Sequence, residues 1–199
     1  SGVGTQTRYI CEALLKTGNF QIRSFGGAIK HPSYKPVKTE QWKDDWIMYP
    51  VDQYGSEEQV RSLIHQEKPD ILWFMTDPRF WGWLWDMENE IRPLMPMVYY
   101  HVWDNYPYPT FNAIKYNSND YIAAISKVTH DIVTTVSPDV NCQYIPHAVD
   151  VDAFRPIDDP ETLTSVKKDV FGDYYDPNKF IFFWNNRNAR RKQSGSLIF

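Results

Sequence analysis

The residues best suited to chemistry sit at the ends of apolar runs. Met97-Val98-Tyr99-Tyr100 reads as a strand and delivers His101, Trp103 and Asp104 directly after it, at the carboxyl edge where open α/β sheets bind ligands. His101 is either a capping or core-edge histidine or a site residue facing a cleft. Asp77 ends another such run, in Met75-Thr76-Asp77-Pro78-Arg79. It reads either as a turn aspartate before proline or, with Trp103, Asp104 and Tyr106, as a binder of sugar hydroxyls through carboxylates and aromatic faces. At the amino end, Gly2-Val3-Gly4-Thr5 lies at a helix start. There, unpaired N–H groups and the helix dipole favour an anion, and glycine permits close approach; an ordinary turn would also take these residues. Near the carboxyl end, the apolar run Phe180-Ile181-Phe182-Phe183-Trp184 opens into a loop holding Arg187, Arg190, Arg191 and Lys192. Arg187 offers a planar fork for phosphate oxygens and Lys192 a point charge, against the alternative of a solvated basic loop.

The elements needed to position these residues follow from periodicity. Helical spacing covers 5–16, ended by Gly18, with Gly2 and Gly4 in front of it. Helices also read over 56–67 with Ser56 as N-cap, over 80–90, over 110–117 and, after Ser126, to about Val136. Strands read at 20–25, 46–49, 70–75, 97–100, 121–125 and 142–145. Alternation at this pace implies βαβ units and an α/β fold: a Rossmann-like parallel sheet with helices on both faces. The run 180–184 reads as a further, buried strand. Ile145-Pro146-His147-Ala148-Val149-Asp150 through Phe154-Arg155-Pro156 reads as a connector, with His147 structural at a hinge, and 158–178 as a charged, partly helical passage.

The order of these motifs resembles the GT-B-type retaining glycosyltransferases that use nucleotide sugars (the group 1, family 4-like transferases). Their connector commonly reads I-P-N/H-G-V-D-x-x-x-F-x-P, followed by a strand ending in G-R and a nearby K-G. This chain departs from the pattern at Ala148, Asn186 and Gln193, each standing where glycine is usual. The resemblance implies an acceptor-side Rossmann-like domain over 1–156, a connector over 157–178 and the start of a donor-binding domain over 179–199. The first strand and most of the second domain would lie outside the chain. It further implies transfer of a hexosyl group from a nucleoside-diphosphate sugar to a hydroxyl, with retention and without a required metal or cofactor. His101 would be the catalytic residue contacting the donor sugar. Gly2 and Val3, with Arg187 and Lys192, would bind the donor diphosphate. Asp77, Trp103, Asp104 and Tyr106 would bind the acceptor: a glycan, a lipid-linked sugar or a small polyol. A UDP-sugar epimerase of the same architecture and a non-catalytic binding domain are the alternatives.

Bulk properties bound the rest. Hydrophobic content of 42% and charged content of 23% are globular values. An aromatic share of 16% favours either a heavy core or stacking surfaces. A net charge of −4 argues against a nucleic-acid partner. Cys11 and Cys142 form no framework and read as buried free thiols, which points to a reducing, cytoplasmic setting. A sheet lacking its central strand leaves a gap beside 20–25. The chain alone is therefore expected to self-associate, with 180–184 as the guest strand, or to be poorly soluble.

Overall fold

Near-continuous burial, the signature of a strand covered on both faces, marks the segment Met97–His101, where four of the five residues are buried. The computed structural model describes residues 2–27, 30–186 and 189–198. Its contacts divide the chain into two units, Ser1–Val149 and Asp150–Phe199.

The first unit holds two sheets. One has β1 (Ile22–Gly26), β2 (Val37–Lys38) and β3 (Trp46–Pro50) in the order β1-β3-β2, with β1 parallel and β2 antiparallel to β3. The other has β4 (Leu72–Thr76), β5 (Met97–His101), β6 (Tyr121–Ala124) and β7 (Cys142–Tyr144) in sequence order, all parallel. The expected α/β class with a parallel sheet is therefore present in this four-stranded sheet, which is compatible with a Rossmann-like fold. The remaining strands form a mixed sheet of their own, and β1 and β4 are both edges.

Helices flank both faces. α1 (Gly2–Lys16) packs Ile10 against Met75, Tyr100 and Ala123 on one face of the parallel sheet. Its Cys11 and Leu15 pack against Trp46 of the other sheet. On the opposite face, Phe74, Met97, Tyr99 and Ile122 meet Val60 of α2 (Glu57–Glu67). The same cluster takes in Leu84 and Trp85 of α3 (Gly82–Asp86), Ile91 of α4 (Glu88–Ile91), Tyr116 of α5 (Ala113–Asn117) and Val133 of α6 (Lys127–Val136). Ser56 and Ser126 cap α2 and α6 as expected, accepting from the Gln59 and Thr129 amides. The helix expected over 80–90 is broken in two at Met87. Gly2 and Gly4 belong to the first turn of α1 and do not precede it.

The second unit contains α7 (Pro160–Phe171), capped by Asp159 with proline at its start, and the short α8 (Ser194–Ile198). No residue of α7 is buried. The strand expected over 180–184 is absent: these residues carry neither helix nor strand, and Phe180, Phe182 and Phe183 are exposed. A β-strand requires a ladder partner, and among the described residues 180–184 have none. Among the described residues no helix is long and apolar enough to cross a membrane.

Candidate functional site

In the parallel sheet the carboxyl ends of β4, β5, β6 and β7 fall at one edge. They bring Thr76-Asp77, His101 through Asp104, Ser126 and His147 to it. His101 does not face a cleft, which corrects its expected placement. Its ring is 0% exposed and both nitrogens are engaged. Nδ1 lies 2.7 Å from the Tyr99 hydroxyl and Nε2 2.9 Å from the Tyr116 hydroxyl. The Tyr99 hydroxyl spends its proton on the Thr76 carbonyl at 2.9 Å, so it must accept from His101. That assigns the proton to Nδ1 and leaves Nε2 to accept from Tyr116. Asn112 Nδ2 in turn donates to the Tyr116 oxygen at 3.5 Å. A satisfied chain of neutral groups thus ties α5, β5 and β4 together.

The electrostatics agree with that arrangement. Burial lowers the His101 pKa to about 3, opposed by the nearby Asp77 charge. Burial raises Tyr116 to about 12 and Tyr99 well above its ordinary value. Asp77 is drawn both ways: burial pushes it up, but hydrogen bonds from the Arg79 side chain and amide outweigh this and hold it below the usual value. Asp77 Oδ1 accepts from the Arg79 amide and Nε, each at 2.9 Å. This is turn geometry, and the carboxylate is already occupied by its neighbour.

Asp77 and Trp103 are nonetheless brought together through Arg79. Its guanidinium lies 5.8 Å from the Trp103 ring centre and 6.0 Å from Phe80. Trp103 packs edge-on to Phe111, and its indole N–H is buried without a partner. Its loop is tied down from α6, where the Thr129 hydroxyl donates to the Trp103 carbonyl at 2.8 Å. Asp104 and Tyr106 are exposed; Tyr106 is 88% exposed and meets Tyr108 edge-on. Tyr54 stacks on Phe80, both on the surface. The edge therefore presents an aromatic surface studded by one paired Arg–Asp turn.

At the amino end of α1, Gly2 and Val3 are exposed, and a Cβ added at Gly2 would meet nothing within 4 Å. No close approach requires glycine at that position. Gln6, not singled out in the sequence, grips the connector: its Nε2 donates to the Ala148 carbonyl at 2.8 Å and its Oε1 accepts the Ala148 amide at 3.2 Å. The first turn of α1 and the segment after β7 are thereby adjacent, and His147 lies beside Tyr100 with ring centres 5.5 Å apart. Lys192 ends a 3-10 turn, Arg190–Lys192, in the second unit. Arg187 lies outside the described residues.

Gln6, Tyr99, Tyr116, Thr129 and Arg79 were missed in the sequence because each acts through a partner distant in the chain or through a rotamer. Only Arg79, two residues after Asp77, left a local signal. Among the described residues no group of three or more His, Cys, Asp or Glu is arranged to hold a metal ion. Cys11 is buried and Cys142 half-buried, both free. No family model matches the chain, and no curated protein and no solved structure matches it.

Proposed function

We propose that this chain is the acceptor-side, Rossmann-like half of a cytoplasmic GT-B-type retaining hexosyltransferase, with the start of its donor-binding domain after the connector. The observation that carries the reading is the aromatic surface at the carboxyl edge, where the exposed Arg79 lies against the half-buried Trp103 and Asp77. Aromatic faces suit the C–H faces of a sugar. The acceptor is a glycan, a lipid-linked sugar or a small polyol.

The donor is a nucleoside-diphosphate sugar, with its diphosphate at Gly2 and Val3 on the first turn of α1. In transfer, the bond from the sugar's anomeric carbon to the diphosphate breaks and a bond to the acceptor hydroxyl oxygen forms. The hydroxyl proton leaves with the departing phosphate, whose charge Arg187 and Lys192 stabilise. No resident metal is needed in this scheme. His101 serves by position: its enclosed ring holds the strand ends beneath Asp77 and Trp103.

Tryptophan fluorescence against a panel of saccharides and polyols tests the acceptor surface. Quenching that disappears in Trp103→Ala and survives in Trp42→Ala is expected; no response from any saccharide overturns the reading. With a complete donor domain present, product analysis should show a new glycoside with the donor's anomeric configuration. Recovery of an epimerised nucleotide sugar instead favours the epimerase alternative.

A further inference from the structure

Arg79 commits part of its donor set and leaves the rest in solvent. Its Nε donates to both Asp77 oxygens, at 2.9 and 3.0 Å, and its Nη2 donates to Oδ2. That is the side-on fork of a guanidinium. Among the described residues Nη1 has no hydrogen-bond partner, so the end-on fork between Nη1 and Nη2 is open. The Arg79 side chain is 68% exposed.

The open fork is held in place. Asp77 is anchored at the end of β4, where its Oδ1 also accepts the Arg79 amide at 2.9 Å, and its side chain is only 23% exposed. The guanidinium lies 5.8 Å from the Trp103 ring centre and 6.0 Å from that of Phe80. A long side chain fixed by a carboxylate and two rings has little rotamer freedom left to lose on binding.

Shape and charge then select the ligand. Parallel N–H groups match the two oxygens of a carboxylate, whereas a sugar hydroxyl offers a single oxygen. Asp77 supplies the carboxylate charge that acts on Arg79 and leaves the pair neutral. Lys115 adds a cation to the same turn: its Nζ donates to the Pro78 carbonyl at 2.9 Å and lies 5.7 Å from the Trp85 ring centre. That surplus positive charge balances a carboxylate, but a phosphate monoester brings a charge of about −1.5 to −2. Beside the fork, Phe80 and Tyr54 are stacked and exposed, an apolar shelf for the ring that carries the carboxylate.

Granted the acceptor surface proposed above, on which this rests, we propose that the open fork of Arg79 is a subsite for a carboxylate on the acceptor. The acceptor is then an acidic sugar of the uronate type.

Calorimetric titration of the intact chain with glucuronate, glucose and glucose 6-phosphate tests it. Glucuronate should bind about tenfold more tightly than glucose, the scale of one charge-assisted hydrogen bond. Glucose 6-phosphate should gain less than glucuronate does. Arg79→Lys keeps the charge and loses the fork; with an unchanged circular dichroism spectrum, it should bring glucuronate to within about twofold of glucose. Arg79→Gln should do the same. Equal binding of glucose and glucuronate, both lost in Trp103→Ala, overturns the carboxylate subsite and leaves the acceptor surface standing. A glucuronate preference that survives Arg79→Lys, or a stronger response to glucose 6-phosphate, also overturns it. Silence from all three ligands removes the acceptor surface and the subsite together.

Discussion

At the scale of single residues, His101 is a stability determinant whose loss can be predicted from its partners. In His101→Phe the Tyr99 hydroxyl keeps the Thr76 carbonyl, but the Tyr116 hydroxyl loses its acceptor. One buried unsatisfied donor costs about 1–3 kcal/mol, and His101→Ala adds the cost of a cavity, for a total of about 3 kcal/mol or more. Urea titration measures both. The pH dependence has a definite sign. With a folded pKa of about 3 against an ordinary 6.5, the unfolded chain takes up the proton first. The contribution of neutral His101 is therefore complete above about pH 6.5 and is lost as pH falls from there towards 3. The slope reaches about 1.4 kcal/mol per pH unit. Subtracting the profile of His101→Phe from that of the wild type should isolate it; parallel profiles would place the ring in solvent.

At the scale of elements, the loop carrying Trp103 is steadied by the amino end of α6. The Thr129 hydroxyl gives its proton to the Trp103 carbonyl, so the Ser126 hydroxyl donates to the Thr129 oxygen while accepting the Thr129 amide. Thr129→Val preserves shape, removes the tie and should cost about 1–2 kcal/mol. It should also broaden the Trp103 indole N–H resonance, a change that Ser56→Ala at the distant α2 cap should not produce although it costs about 1 kcal/mol too. These caps were legible in the sequence because Ser56 and Ser126 each precede an apolar helical run. The break of 80–90 into α3 and α4 was not, since Trp81 through Trp85 is apolar on every side and gives no helical period to read. The 180–184 run shows the same limit: its composition specifies a buried strand, but only a neighbouring strand can make it one.

At the scale of the whole molecule, all three clusters of buried apolar residues draw on the first unit, whereas α7 buries nothing. Opening free energy follows buried contact. Hydrogen exchange should therefore reach its slowest rates in β5, β6 and α6. Amides of 150–179 should exchange orders of magnitude faster, including those of α7, whose helix rests on its Asp159 cap and local bonds alone. Comparable protection in α7 and β5 would mean that the second unit has a core of its own.

By itself the sequence determined the alternation of helices and strands, the α/β class, two of the caps and the collection of Asp77, His101, Trp103 and Asp104 at strand ends. Those features rest on periodicity and on side chains bonding within three residues, which are local properties of the chain. Tertiary structure alone decided which of these residues face solvent. His101 and Trp103 are two residues apart and looked equivalent as site candidates. Yet Tyr99, Thr76 and Tyr116 close around the imidazole, while Trp103 is left beside Arg79 with an unpartnered N–H. Tertiary structure also decided that the strands form two sheets, because pairing depends on which edges meet, and five apolar residues without an edge remain in water.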